Sequence, residues 1–167
     1  MQIGRIEDSV TPDKIDLALM SYSLSGLPME NRGSFLSRLF EAKNPQGKVL
    51  YVTYEDGCNW DIFSSYVYEF LGRPIKGGVN LHKQELESLG FNSEILSKAT
   101  TLIWGSSLDD LAEVLAFFFL DKLEQYLADI SKFKTLLKEV SHQMPDGRSA
   151  IEVVEALVEV KPSLNLV

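Results

Sequence analysis

The stretch IDLALMS, Ile15–Ser21, decides how this chain is read. It is apolar at nearly every position instead of every second one, the pattern of a strand covered on both faces in a parallel sheet. It runs out into YSLSGLP, a set of turn formers. Next, NRGSFLSRLFEAKNPQG (31–47) spaces Phe35, Leu36, Leu39 and Phe40 along one face of an amphipathic helix, closed by Asn44, Pro45 and Gly47. KVLYVTYE (48–55) is β-branched and aromatic, with DGCN as its exit turn. Strand, helix and strand with short connections predict a right-handed βαβ crossover in a parallel sheet.

Downstream, Phe63, Tyr66, Val67, Phe70 and Leu71 recur at helical spacing, ending at Gly72 and Pro74. After Gly77 and Gly78, Asn80 is read as the N-cap of a short helix, HKQELESLG. FNSEILSKATTLIW (91–104) reads as a third strand, with a break expected near its middle. Ser107 and Asp110 have capping-box spacing ahead of a long helical region from Leu111 to Ile130, in one or two helices. MPDGRS is a turn, and the β-branched content of AIEVVEALVEV (150–160) favours a final strand over a helix.

The 167 residues suit a single domain with a working core, and 45% hydrophobic with 24% charged residues fits a folded globular chain. The longest strongly apolar run, Val114 to Leu120, is far short of a membrane span, and the N-terminus lacks the basic and apolar regions of a leader. A cytosolic protein is expected, with no membrane association. A net charge of −8 without a Lys/Arg cluster argues against nucleic acid as a partner. A single cysteine, Cys58, rules out an internal disulfide, and His82 and His142 are too widely separated for a ligand pair, so no metal site is expected. Both histidines are read as solvated.

With KIDLAL, LFEAKNPQGKVLYV, GCNWDIFSSYVYEFLG and ELESLGF in this order, the chain resembles the C-terminal half of class I S-adenosylmethionine-dependent methyltransferases. The pattern is most similar to histamine N-methyltransferase-like proteins, across roughly residues 5–161. The resemblance implies an incomplete Rossmann-like α/β sheet holding the equivalents of strands 4 to 7, in the order first, second, fourth, third along this chain. The last strand would be antiparallel. It also implies S-adenosylmethionine as cofactor and a small-molecule methyl acceptor, an amine in the subtype named. Such enzymes grip the cofactor chiefly through a Gly-rich turn in their N-terminal half, and no Gly-x-Gly occurs among the eleven glycines of this sequence. The expectation is therefore one methyltransferase-like domain without the N-terminal cofactor lobe, inactive alone.

Open α/β sheets bind ligands at the carboxyl ends of their strands. By analogy, Met20 and Ser21 would edge the cofactor, and Tyr22 and Ser23 the substrate; the plain alternative is a polar loop exit. At the next strand's exit Tyr54, Trp60 and Phe63 are substrate-binding candidates, although a Trp or Phe at a helix start serves equally as a core anchor. The resembled enzymes carry a second tryptophan where this chain has Ser64, which counts against an amine acceptor. No catalytic residue is identified: Glu55 and Asp56 are adjacent and diverge at a strand end, and Cys58 has no basic neighbour to activate it. The dense FFFL of Phe117–Leu120 is expected in the core, with a lid or partner surface as the alternative. A second functional reading is a non-catalytic interaction module, because a bare first strand would recruit a second copy or a complete methyltransferase by strand addition.

Overall fold

A computed structural model describes residues 14–75 and 77–163. Its elements are β1 (Ile15–Ser21), α1 (Met29–Ala42), β2 (Lys43–Tyr54), α2 (Asn59–Phe70), α3 (Val79–Ser88) and β3 (Phe91–Gly105), followed by α4 (Leu108–Leu115), a 3-10 segment (Ala116–Lys122), α5 (Leu123–Ala128), α6 (Ile130–Val140), β4 (Ser141–Gln143) and β5 (Ser149–Pro162). The sheet order is β1-β2-β5-β3, with β4 paired to β5. β1 and β2 are parallel, Leu17 opposite Lys48 and Ser21 opposite Val52. On β5, the Glu55 amide donates to the Val154 carbonyl (2.7 Å) while Lys48 reaches Glu159 (3.5 Å), so rising numbers meet falling ones. The Ser163 amide on Gly90 (2.9 Å) and Lys161 on Glu94 (2.8 Å) give the same sense toward β3. β5 is thus antiparallel to both neighbours, and the long strands stand in the expected order.

The helix–strand junction differs from its reading as a loop. α1 stops at Ala42 and β2 starts at once, with NPQG absorbed in a register shift between Ile15 opposite Lys43 and Leu17 opposite Lys48. Gly47 is required there, since a Cβ would lie 2.5 Å from the Ile15 carbonyl oxygen. β3 runs unbroken for 15 residues, because the sheet pairs it along its length where local composition suggested a break. α3 begins at Val79, which puts Asn80 inside the helix instead of at its cap. The long helical region is cut at Leu115, Leu123 and Asp129 into shorter pieces. Its start follows expectation: Ser107 Oγ accepts the Asp110 amide (3.1 Å), while the Asp110 carboxylate reaches back to the Ser106 amide and hydroxyl (2.9 and 2.6 Å).

The chain divides into two compact units. In the first, comprising described residues up to Thr53, Val79–Lys98 and from Ala156 onward, α1 supplies Phe35, Leu36 and Leu39 to a core with Tyr51, Leu86, Phe91 and Val158. A partly buried ion pair from Arg32 on α1 to Glu85 on α3 clamps the helices. His82 corrects the sequence reading: it is 3% exposed and stacks on Tyr51 at 5.8 Å, because its face of α3 is turned inward. β1 is corrected as well. Met20 is buried on the helix-covered face, but Leu17 and Leu19 are each 57% exposed on the other.

The second unit, Tyr54–Gly78 with Ala99–Glu155, is built on an aromatic column. Phe119 stacks on Tyr126 (5.2 Å) and Tyr126 on Phe133 (4.6 Å), with Tyr68 edge-on to Phe119 and Phe70 edge-on to Phe133. The Tyr126 hydroxyl donates to the Ala112 carbonyl (2.8 Å), so the polar atom at the centre of the column is satisfied. Only Phe119 of the FFFL run is core. Phe117, Phe118 and Leu120 are exposed, since three successive rings cannot share one helical face.

Candidate functional site

At the carboxyl end of β1, Met20 is buried, Ser21 and Tyr22 are exposed and Ser23 is half-buried. Tyr22 carries the left-handed backbone, φ 53°, that is unusual for a bulky residue. Its amide donates to the Val52 carbonyl (3.1 Å), so the last sheet bond pins the turn that presents its ring. A conformation of this kind costs about 1–3 kcal/mol and collects where side chains must be aimed. The strand pattern gave no signal of it, because tyrosine is not a residue from which a positive φ is inferred.

At the exit of β2, in the other unit, Tyr54, Trp60 and Phe63 come together inside the core, each 6% exposed or less. Trp60 lies 6.4 Å from Phe63 and 4.8 Å from Phe118, so two aromatic rings pack beside it. Burial, reinforced by the Asp61 charge, pushes the Tyr54 phenol far above its ordinary value of 10.0 and keeps it neutral. Ser64 beside it opposes that rise only in part. Asp61 organises the turn: its carboxylate accepts the Gly57 amide (2.8 Å), with Gly57 at φ 77°, and the Ser65 hydroxyl (3.4 Å).

Of the other candidates, Cys58 is half-buried and free at the N-cap of α2. The Glu55 amide is engaged by Val154, and Asp56 packs on Gly78, where a Cβ would come within 2.8 Å of it. The described residues contain no group of three His, Cys, Asp or Glu placed to hold a metal ion. The exit of β1 thus offers hydroxyl and phenol hydrogen bonding, suited to binding and orienting a ligand, whereas the rings at the exit of β2 are taken up in packing. Phe118, which covers Trp60, was read only within the FFFL run, expected in the core with a lid or partner surface as the alternative, and nothing in the sequence paired it with Trp60.

No protein-family model matches the chain, and no curated protein matches it in sequence. Solved structures do share its fold. A candidate methyltransferase from Bacillus halodurans aligns over 96% of this chain and 70% of its own, with 15% identity and a TM-score of 0.57. The YcgJ protein of Bacillus subtilis aligns over 97% and 70%, with 12% identity and a TM-score of 0.56. A S-adenosylmethionine-dependent methyltransferase from Geobacter sulfurreducens, in complex with S-adenosyl-L-homocysteine, aligns more loosely, over 95% and 62% with 10% identity and a TM-score of 0.45. At these identities the likeness is one of fold: this chain is an open, mixed α/β sheet of the kind found in methyltransferase structures.

Proposed function

We propose that this chain supplies the acceptor-side half of a cytosolic S-adenosylmethionine-dependent methyltransferase acting on a small molecule. The observation that carries the reading is the strand order β1-β2-β5-β3 with β5 reversed, on a fold shared with a methyltransferase structure. When bound, S-adenosylmethionine supplies an electrophilic methyl group on a sulfonium. The Ser21 and Ser23 hydroxyls and the outward ring of Tyr22 suit contacts at the edge of such a ligand. They do not suit a nucleoside cradle, having neither a glycine turn nor a carboxylate for ribose hydroxyls among Met20–Ser23. These residues would therefore position an acceptor, which is the greater part of what methyl transfer asks of a protein. An amine acceptor rests on the resemblance of the Trp60 segment alone, and to reach that ring it would have to displace Phe118.

Titration of isotope-labelled protein with S-adenosyl-L-homocysteine, followed by amide chemical shifts, tests this. Weak binding at millimolar ligand should move the amides of Met20–Ser23. Unmoved amides there would sink the proposal, and micromolar affinity by calorimetry would sink its division into halves.

A second reading, an interaction module, draws on the two edges of the sheet. Edge strand β3 carries Glu94 and Lys98 among its exposed Ile95, Leu96, Leu102 and Trp104, whereas β1 exposes Leu17 and Leu19 with Asp16 as its only charge. Strand addition by a second copy or a complete methyltransferase would cover it. Sedimentation velocity decides: a single monomeric species at tens of micromolar speaks against self-association.

A further inference from the structure

Beyond Phe91, which is buried in the core of the first unit, edge strand β3 comes out into the open. Every residue from Glu94 to Lys98 is exposed, and Ile95 on one face and Leu96 on the other are each 42% accessible. Exposure on both faces means that no helix shields this stretch, which β5 holds from one side only. The other side presents unpaired backbone groups, the template on which a further strand adds. An ion-pair row crosses the sheet of this unit on one face: Lys48 with Glu159 (3.5 Å), Glu159 with Lys161 (3.1 Å) and Lys161 with Glu94 (2.8 Å). Its signs alternate, and it ends at the open edge on the Glu94 carboxylate, which is 64% exposed. A period of two puts Leu96 and Lys98 on the same face as Glu94.

The placement of these charges selects the occupant. An antiparallel pairing of two copies about a two-fold axis at Leu96 sets Leu96 opposite Leu96, and Glu94 opposite the partner's Lys98 at two places. Directly opposed side chains stand within about 5.5 Å of each other, so each pair is in reach of an ion pair. The partner's Lys98 also continues the alternation of the row beyond Glu94. Other arrangements lose this match. A two-fold at Ile95 sets Glu94 against Leu96, one at Ser97 sets Lys98 against Leu96, and an in-register parallel pairing stacks like charges. The row together with Lys98 holds three lysines against two glutamates, so the acids behind the net charge of −8 lie elsewhere than at this edge. We infer that β3 is a self-association edge, at which two copies of this chain join antiparallel about Leu96 and are matched by Glu94 and Lys98. The inference rests on neither the methyltransferase reading nor pairing through β1.

Sedimentation velocity of the full chain should show a monomer–dimer equilibrium at tens of micromolar. Glu94→Lys and Lys98→Glu should each weaken it by about tenfold or more while far-UV circular dichroism stays native, since each sets like charges opposite each other twice. An equimolar mixture of the two variants restores opposite signs at both facing pairs and should associate again. A cross-link reads the register independently of charge. In a Cys58→Ser background, Leu96→Cys should join to its own copy in oxidised glutathione, whereas Asn92→Cys, about 27 Å from its mate in this register, should not. A chain that stays monomeric overturns the inference. So does a dimer indifferent to both reversals, which would place self-association at another surface such as β1, and so does a mixture that fails to associate. Cross-linking at Asn92→Cys as fast as at Leu96→Cys overturns the register.

Discussion

Replacing Gly105 by alanine gives the sharpest test of how the second unit is assembled. Gly105 ends β3 where the chain enters α4, and a Cβ there would lie 2.7 Å from Leu111 Cα and 2.8 Å from the Asp110 carbonyl carbon, closer still to the Leu111 amide. All three are backbone atoms, so no side chain can swing aside. Reaching an ordinary 3.4 Å contact with the Leu111 amide means moving the first turn of α4 by about 1.1 Å. That movement also pulls Asp110 off the Ser107 cap. Overpacking of this kind costs about 3 kcal/mol, and at this chain length each kcal/mol lowers the melting temperature by about 2–4 °C. Circular-dichroism melting of Gly105→Ala should therefore show a fall of about 6–12 °C. Two controls separate close approach from backbone strain. Gly26→Ala has nothing within 4 Å and should stay within about 1 kcal/mol of the parent. Gly57→Ala, in open space at φ 77°, should lose about 1–2 kcal/mol for its left-handed conformation. A Gly105→Ala protein melting within about 2 °C of the parent would refute the packing argument.

Other expectations concern charge and burial. The Ser106 hydroxyl, and then its amide, hold the Asp110 carboxyl below its ordinary 3.8, so the stabilisation is present above that pH and is lost as pH falls through the depressed folded value. The melting gap between the parent and Asp110→Asn should accordingly close in acid, and a gap independent of pH contradicts the assignment. Burial raises the phenols of Tyr54, Tyr68 and Tyr126 above 10.0; their neutral forms stabilise the fold below that pH, and the contribution is lost as pH rises beyond it. Phenolate absorbance from these three, assigned with single Phe variants, should appear only as the far-UV signal collapses; ionisation in a native fold would be inconsistent with their burial. Trp60→Ala should cost about 3–5 kcal/mol as a core truncation. In a Trp104→Phe background, Phe118→Ser should leave the melting temperature nearly unchanged but shift Trp60 emission to the red, and an unshifted spectrum would mean Phe118 does not shield the ring.

Local pattern carried the fold a long way. Continuous apolar runs separated by one helical period gave the βαβ unit, β-branched density marked β5 as a strand, and the Ser107 hydroxyl three residues before Asp110 located a helix start that the backbone adopts. The resemblance supplied the order of the strands, which no local feature encodes. The candidate residues were legible only as positions at strand exits. Their orientation was not: Tyr54, Trp60 and Phe63 turn into a core, whereas Tyr22 turns out on a strained backbone.

Element type, sequence of elements and the acidic surface follow from the amino-acid order by itself, because hydrogen-bond period and side-chain shape act over a few residues. Which face is covered was settled by tertiary packing alone. His82 lies under Tyr51 and Leu17 stands in the open for the same reason: a side chain's burial depends on the element opposite it, and that element is brought from elsewhere in the chain. The broken helix at Phe119 has this origin too, since an aromatic column assembled from four separate elements fixes where that ring must sit.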